Sequence, residues 1–188
     1  MVTIRNETHR DVDAREQLLD RVWGPSRFGK TAQRLREGRS PAAGLSLIAE
    51  QDGKVVGTVR LWHVCAGPGR PVLLLGPLAV DEAWRCRGIG STLMRRALGA
   101  AGRRGHNAVI LVGDAPYYQR FGFSAAKTGA LWLPGAFERR RLLGCELKAG
   151  SLDGVRGLIS ATGRLVRKPT FNTLAAASAD ILDAQHAA

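Results

Sequence analysis

A glycine-containing segment flanked by arginines has the residue types needed to bind an anion. It lies between an apolar run and a segment with helical spacing, and it reads Arg85-Cys86-Arg87-Gly88-Ile89-Gly90-Ser91. Glycine lets main-chain amides approach a ligand closely, and a helix N-terminus offers unpaired N–H groups with a positive dipole end. With two guanidinium groups beside them, these amides favour a phosphate-bearing ligand, and a pyrophosphate in particular.

A second candidate segment follows the next apolar run and contains two adjacent tyrosines, Tyr117 and Tyr118. Ligands of open α/β sheets bind at the carboxyl ends of strands, so we expect this segment to lie near the glycine segment. We place Tyr117 toward the apolar interior, as a packing residue, and Tyr118 at the site. A phenol has an ordinary pKa of about 10 and therefore holds a proton to donate at neutral pH.

Two nucleotide-binding patterns also occur, the first in full and the second in part. Residues 24–31 match G-x-x-x-x-G-K-[ST], but the phosphate loop of an NTPase must follow a buried strand. Residues 10–23 are charged and have helical spacing, which favours a polar loop between two helices and leaves a P-loop NTPase as the weaker alternative. Residues 88–93 lack the third small residue of a dinucleotide-binding fingerprint, and Ala108 stands where its acid is expected, about 20 residues on.

Hydrophobic spacing predicts the elements that position these segments. Helices are predicted over residues 11–23, 31–37, 88–104 and 116–120, and strands over residues 45–50, 55–64, 71–80, 108–112, 130–133 and 142–147. This order is typical of a mixed α/β protein with one central sheet.

The composition is that of a soluble globular protein. The chain has 188 residues, of which 45% are hydrophobic and 23% charged. The apolar runs are too short to cross a bilayer, and the first residues lack the apolar core of a signal peptide. The three cysteines are an odd number without paired spacing. We therefore expect one cytoplasmic domain without a disulfide framework, a metal site or a membrane partner.

The strong positive charge leaves the kind of partner open. The net charge is +12, from 28 basic and 16 acidic residues, which suits nucleic acid, a membrane surface or a phosphate-bearing ligand. A nucleic-acid- or ribosome-associated protein would use the basic residues at 139–141, Arg156, Arg164, Arg167 and Lys168. Aromatic residues, at 6%, give few stacking platforms, which disfavours nucleic acid without excluding it. The oligomeric state, a homodimer included, is open.

Together the two candidate segments resemble the motifs of the GNAT superfamily of acyl-CoA-dependent N-acetyltransferases. Residues 78–91 resemble its acyl-CoA motif, [Q/R]-x-x-G-x-[G/A], and residues 117–123 resemble its tyrosine-bearing segment. Residues 34–38, 60–62, 74–80 and 113–118 further resemble a bacterial branch of predicted acetyltransferases.

The resemblance covers about residues 1–171 and implies an α/β (α+β mixed) fold. This fold is a single GNAT-like domain whose central sheet is mostly antiparallel, splayed and flanked by helices. The acyl-CoA N-acyltransferase domain would span residues 1–150. Residues 151–188 would form an extension that is family-like to about residue 171 and then an Ala-rich tail.

The resemblance also implies a reaction in which acetyl-CoA donates an acetyl group to a primary amine by direct attack in a ternary complex. The pantetheine arm would pair with the strand residues Leu78, Ala79 and Val80, at an edge freed by a distortion at Gly76-Pro77. The pyrophosphate would lie on the amides from Arg87 to Ser91, beside Arg85 and Cys86. An N–H near Leu78 would stabilise the oxyanion, and Tyr118 would protonate the departing thiolate.

The general base and the acceptor are not specified by the sequence. The family often has an acid on the motif strand, where this chain has Leu73, Leu74 and Leu75. His63 and Asp114 are the nearby candidates, with a structural role favoured for both, as a helix cap in the case of Asp114. An acyl-Cys86 intermediate is chemically open but unnecessary. The net charge favours a neutral or acidic acceptor over polyamines and Lys-rich peptides.

Overall fold

One open sheet runs through residues 1–166, which are the residues that the structure, a computed structural model, describes. Its strands are β1 Thr3–Asn6, β2 Ser46–Gln51, β3 Lys54–Ala66, β4 Pro71–Val80, β5 Ala108–Val112, β6 Leu131–Trp132, β7 Leu142–Glu146 and β8 Gly157–Ala161. The order across the sheet is β1-β2-β3-β4-β5-β7, and β8 pairs with β3 and β6. The β4–β5 and β6–β8 pairs are parallel, whereas the other strand pairs are antiparallel, which confirms the predicted mixed, mostly antiparallel sheet.

Within the described residues, four α-helices flank the sheet: α1 Val12–Trp23, α2 Thr31–Arg34, α3 Ile89–Arg103 and α4 Ala115–Tyr118. The apolar face predicted for α3 is buried at Ile89, Leu93 and Met94, and continues through Ala97 and Ala101. Of the helices in residues 1–166, none combines the length and the apolarity that crossing a bilayer requires.

The core lies on both faces of the central strands, because alternate residues of a strand point to opposite faces. On one face, Leu73 of β4 and Val109 of β5 pack with Leu93 of α3. On the other face, Leu74 and Ile110 pack with residues that include Leu35, Trp62 and Leu131. The continuous apolar run of β4 is thus explained by burial on both sides of the sheet.

The structure differs from the predicted elements where the hydrophobic signal is weak. β1 and β8 are not among the predicted strands, because β1 has no fully buried residue and β8 has only Ile159. The helix predicted over residues 31–37 ends at Arg34. β8 lies beyond position 150 and joins the same sheet. The predicted Ala-rich tail, with Arg167 and Lys168, lies outside the described residues.

A carboxylate network fixes the chain between β1 and α1. Asp11 is 7% exposed and accepts hydrogen bonds from both terminal nitrogens of Arg5, at 2.8 Å each. It also accepts from the main-chain N–H and the hydroxyl of Thr8, at 2.7 and 2.8 Å. These hydrogen bonds, those from Arg5 first, hold the pKa of Asp11 well below its usual range.

We expect Asp11→Asn to lower the free energy of unfolding by about 2 kcal/mol at pH 7, since it removes a buried, charge-assisted acceptor. A depressed folded-state pKa gives stability that is complete above the ordinary pKa of about 4 and is lost as the pH falls below it. Urea unfolding at pH 7 and pH 3 should therefore show a smaller difference between wild type and variant at pH 3. An equal difference at both pH values would contradict this, and exposed Asp13→Asn is the control.

Candidate active site

The parallel strands β4 and β5 separate near the middle of the sheet. The two strands pair with each other only at Leu73–Val109 and Leu74–Ile110. β4 continues along β3 as far as the Gly57–Val80 pair, so within the described residues its other edge has no strand partner over residues 75–80. A wedge therefore opens at the carboxyl ends of both strands, the position at which open sheets bind ligands.

A β-bulge in β4 lies at the start of this unpaired edge. The pairs Val59–Leu78 and Leu61–Leu75 enclose one more residue on β4 than on β3. The indole N–H of Trp62 donates to the Gly76 carbonyl oxygen at 2.6 Å, which satisfies an acceptor in the irregular stretch. The distortion predicted at Gly76-Pro77 is thus confirmed.

The wedge contains a cavity of about 600 Å³. Strand residues Leu75, Leu78 and Val112 line its apolar side, together with the ring of Tyr118. The rest of the lining, here called the charged wall, comes from the end of α1, the residues around α2 and residues 136–141, and contains the charged residues Arg27, Lys30, Arg36, Glu138 and Arg141. The cavity thus joins an apolar strand end to a charged wall.

The segment that matches a phosphate loop forms part of this wall. It folds as the 3-10 turn Pro25–Gly29 and the first residue of α2, and it follows α1 rather than a strand. The hydroxyl of Thr31 donates to the main-chain carbonyl of Ala136 across the cavity rim. The expectation of a polar loop between two helices is confirmed. The buried strand that must precede the phosphate loop of an NTPase is replaced by α1.

Tyr118 lies between the cavity and the core. The Asp114 main-chain carbonyl accepts from the N–H of Tyr118 at 3.3 Å, which begins α4 directly after β5. The Tyr118 ring packs edge-on against Phe123, with ring centroids 6.0 Å apart. Burial, with smaller contributions from Tyr117 and Asp114, raises the pKa of Tyr118 to about 12, so its hydroxyl keeps the proton at neutral pH.

Gly113 gives the Tyr118 ring its space. A Cβ at Gly113 would overlap the edge of the ring and stand 2.9 Å from Cδ2. We expect Gly113→Ala to displace the ring, lower kcat by about tenfold or more, and cost roughly 1–3 kcal/mol of stability through overpacking.

A double-mutant cycle checks this expectation, because two changes that act through one side chain are not additive. Gly113→Ala should reduce kcat far less in a Tyr118→Phe background than in wild type. An equal fold reduction in kcat in the two backgrounds would show that Gly113 acts independently of Tyr118.

Tyr117 does not point into the interior, contrary to the prediction from sequence. Its hydroxyl lies 2.8 Å from the place that a Cβ would occupy on Gly90, at the first turn of α3. The Arg120 guanidinium lies 4.4 Å above the Tyr117 ring. Gly90 therefore gives the tyrosine segment close access to the N-terminus of α3, so the two candidate segments meet there.

The turn before α3 leaves main-chain amides unpaired. Cys86 and Gly88 have left-handed backbone angles, with φ of 60° and 76°. Gly88 is the N-cap and has no side chain to accept from the first turn, so the N–H groups of Ile89, Gly90 and Ser91 have no hydrogen-bond partner among the described residues. These amides share the positive end of the α3 dipole.

The two arginines of this turn are held at the surface. The Arg87 guanidinium lies 4.7 Å above the Trp84 ring, and an Arg85 terminal nitrogen lies 3.7 Å from a Glu82 carboxylate oxygen. Asp81 caps the short turn before them by accepting from the Ala83 N–H at 3.2 Å. Cys86 between the arginines is exposed.

The two general-base candidates lie in different places. His63 is absent from the cavity lining and faces His106, with ring centroids 5.4 Å apart. Asp114 lines the cavity, but its side chain makes no cap hydrogen bond, so the predicted capping role is wrong. Asp114 instead lies 3.2 Å from Arg141. Glu138 is a second carboxylate in the lining, and no sequence motif singled it out.

The arginine run at 139–141 is divided among separate local contacts. Arg139 stacks 4.0 Å over the Trp132 ring, Arg140 pairs with Glu138 at 2.9 Å, and Arg141 faces the cavity. Within residues 1–166, no group of three or more His, Cys, Asp or Glu side chains is close enough to hold a metal ion.

The sheet, the wedge and the helix N-terminus have counterparts in known proteins. Residues 42–125 match the family model of the acetyltransferase (GNAT) domain. The uncharacterized N-acetyltransferase YhbS of Escherichia coli K12 is 32% identical over 163 residues, which cover 83% of this chain and 93% of the relative. The chain therefore belongs to the GNAT family of acetyltransferases, which confirms the expected family and enzyme class.

Two solved structures extend this likeness over most of the chain. The crystal structure of Escherichia coli YhbS in complex with CoA has a TM-score of 0.72 at 30% identity, and the match covers 86% of this chain and 89% of that one. A GNAT family acetyltransferase from Brucella melitensis in complex with acetyl-CoA has a TM-score of 0.66 at 25% identity, and the match covers 86% and 96%. The predicted fold class is confirmed by these neighbours.

Proposed function

We propose that this protein moves an acetyl group from acetyl-CoA to a primary amine by direct attack in a ternary complex. One observation supports this most: Tyr118 and the unpaired edge of β4 line the same cavity. The relatives that were crystallised with CoA and acetyl-CoA support acetyl-CoA as the donor. We assign the chemistry to residues 1–150, with residues 151–188 as an extension.

The donor would span from the turn before α3 to the wedge. Its pyrophosphate lies on the amides of Arg87, Gly88, Ile89, Gly90 and Ser91, beside Arg85 and Cys86. Its pantetheine arm extends the sheet by pairing with the unpaired edge at Leu78, Ala79 and Val80. This route follows the one edge of β4 that is left without a strand partner in the described residues.

The transfer step needs positioned groups rather than a covalent enzyme intermediate. The amine attacks the thioester carbonyl, a main-chain N–H near Leu78 stabilises the oxyanion, and the C–S bond then breaks. Tyr118 gives its proton to the departing thiolate, and the amine loses one proton as the amide forms. Asp114 is the better placed of the two predicted bases, because it lines the cavity and His63 does not.

A screen of primary amines with acetyl-CoA, followed by free-thiol release, tests this proposal. We expect thiol release to require both substrates, and mass spectrometry to show one added acetyl group on the amine. Release at the same rate without any amine would indicate a thioesterase and contradict the proposal.

A further inference from the structure

The cavity is lined by more positive than negative charge. Four cationic side chains and two carboxylates line it: Arg27, Lys30, Arg36, Arg141, Asp114 and Glu138. Both carboxylates lie near Arg141, at 3.2 and 3.7 Å. Arg27 pairs with Glu16 and Asp20 of α1. Within residues 1–166, Lys30 and Arg36 have no carboxylate within 4.0 Å, so their charges are uncompensated.

Arg36 is anchored by one nitrogen and leaves the others free. Its Nε donates to the Ala32 carbonyl at 3.2 Å, and neither terminal nitrogen has a hydrogen-bond partner among the described residues. Nη1 lies 3.6 Å from the place of a Cβ on Gly76, at the bulge of β4. Burial, followed by the charges of Arg27 and Arg60, lowers the pKa of Arg36 to about 10, which leaves it charged at neutral pH.

Lys30 adds a second unpaired charge to the same wall. Its ammonium lies 3.7 Å over the Trp23 ring. Burial, followed by the charges of Arg141 and Arg36, lowers the pKa of Lys30. Since like charges in a partly buried site repel one another, a bound anion would stabilise this arrangement.

We propose that the acceptor is a primary amine that also carries an anionic group, a carboxylate or a phosphate, and that Arg36 and Lys30 bind this group. The inference rests on the proposed acetyl transfer. A guanidinium with free terminal nitrogens can donate two parallel hydrogen bonds to either kind of oxyanion.

The position of Arg36 also limits the size of the acceptor. Arg36 lies at Gly76, whereas the thioester carbonyl is assigned to Leu78, two residues further along β4. Two residues of a regular strand span about 7 Å, and the bulge at Gly76-Pro77 makes the span here shorter. Allowing for a hydrogen bond at the anionic end, the amine and the anionic group are therefore joined by a chain of only a few bonds.

Matched acceptor pairs test this inference. Glycine, β-alanine and 4-aminobutyrate are compared with their amides, and phosphoethanolamine is compared with ethanolamine, by thiol release with wild type. We expect kcat/KM to be at least about tenfold higher for the anionic member of the reactive pairs, as expected for a charge-assisted hydrogen bond. Whether the amino acids or phosphoethanolamine react distinguishes a carboxylate from a phosphate.

Variants then locate the preference within the cavity. Arg36→Met keeps the apolar stem of the side chain. It should bring the ratio of kcat/KM for the anionic acceptor to kcat/KM for the neutral acceptor close to one. Lys30→Met should lower this ratio in part. Arg103→Met removes the same unit of charge at an exposed position of α3 and should keep the full ratio. The acetyl-CoA affinity and the melting temperature of each variant establish that it is folded and binds the donor.

The inference would be overturned if wild type had an equal or higher kcat/KM for the neutral members of the pairs. It would also be overturned if Arg36→Met kept the wild-type preference for the anionic members. Wild type that binds acetyl-CoA but acetylates only neutral amines, or no member of these pairs, overturns it as well. Failure to bind acetyl-CoA at all would instead be a failure of the proposed function.

Discussion

Replacing Tyr118 by Phe is expected to lower kcat by at least about 100-fold, the usual contribution of a positioned general acid. The dissociation constant for acetyl-CoA should stay within about twofold of wild type, because the ring and its contact with Phe123 remain. Steady-state thiol release and calorimetric titration with acetyl-CoA measure the two quantities separately.

The raised pKa of Tyr118 adds a pH signature to this prediction. Since burial raises the pKa of Tyr118 to about 12, its hydroxyl stays protonated between pH 7 and 10, and its ionisation should not reduce wild-type activity over that range. Tyr117→Phe is the matched control for kcat alone, because its hydroxyl lies at Gly90, beside the proposed pyrophosphate site, rather than in the cavity lining. An unchanged kcat in Tyr118→Phe would remove this residue from the mechanism.

Replacing Ser91 by Asp is expected to act in opposite directions on binding and on stability. Ser91 is the third residue of α3, where a carboxylate interacts favourably with the helix dipole and adds about 0.3–1 kcal/mol. The same carboxylate repels a pyrophosphate bound to these amides. We expect acetyl-CoA affinity to fall on the order of 100-fold, which corresponds to about 2.7 kcal/mol.

Ser91→Asn isolates the effect of the charge, because Asn has the shape of Asp without its negative charge. It should reduce acetyl-CoA affinity far less than Ser91→Asp, and the difference should shrink at high salt because Ser91 is half-exposed and salt screens the repulsion. Calorimetry gives the affinities and thermal unfolding gives the stabilities. Equal affinity in the Asp and Asn variants would mean that no anion binds at this helix end.

The elements around the donor route are predictable from sequence because their signals are local. The buried run of β4, the turn at Gly88 and the apolar face of α3 follow one another within residues 71–103. The two segments that resemble the acyl-CoA and tyrosine motifs are also continuous in sequence. β1 and β8 are missed because their residues are mostly half-buried or exposed and give little alternation.

The charged wall of the cavity could not be predicted in the same way. Arg36 meets the bulge at Gly76, and Arg141 meets Asp114, only because the sheet brings distant segments together. The prediction that Tyr117 points into the interior is wrong for a similar reason, since no local pattern indicates that a glycine on α3 makes room for its hydroxyl. Tertiary packing thus decides the residues around the acceptor, whereas local pattern decides those around the donor.

Calorimetric comparison of acetyl-CoA with S-acetylpantetheine tests the donor site most directly, because the smaller thioester lacks the pyrophosphate and the nucleotide. We predict that acetyl-CoA binds the folded protein at one site per chain and that S-acetylpantetheine binds at least about 100-fold more weakly. Equal affinity for the two thioesters, or no binding of acetyl-CoA to folded protein, would contradict a pyrophosphate site on the amides of Ile89, Gly90 and Ser91.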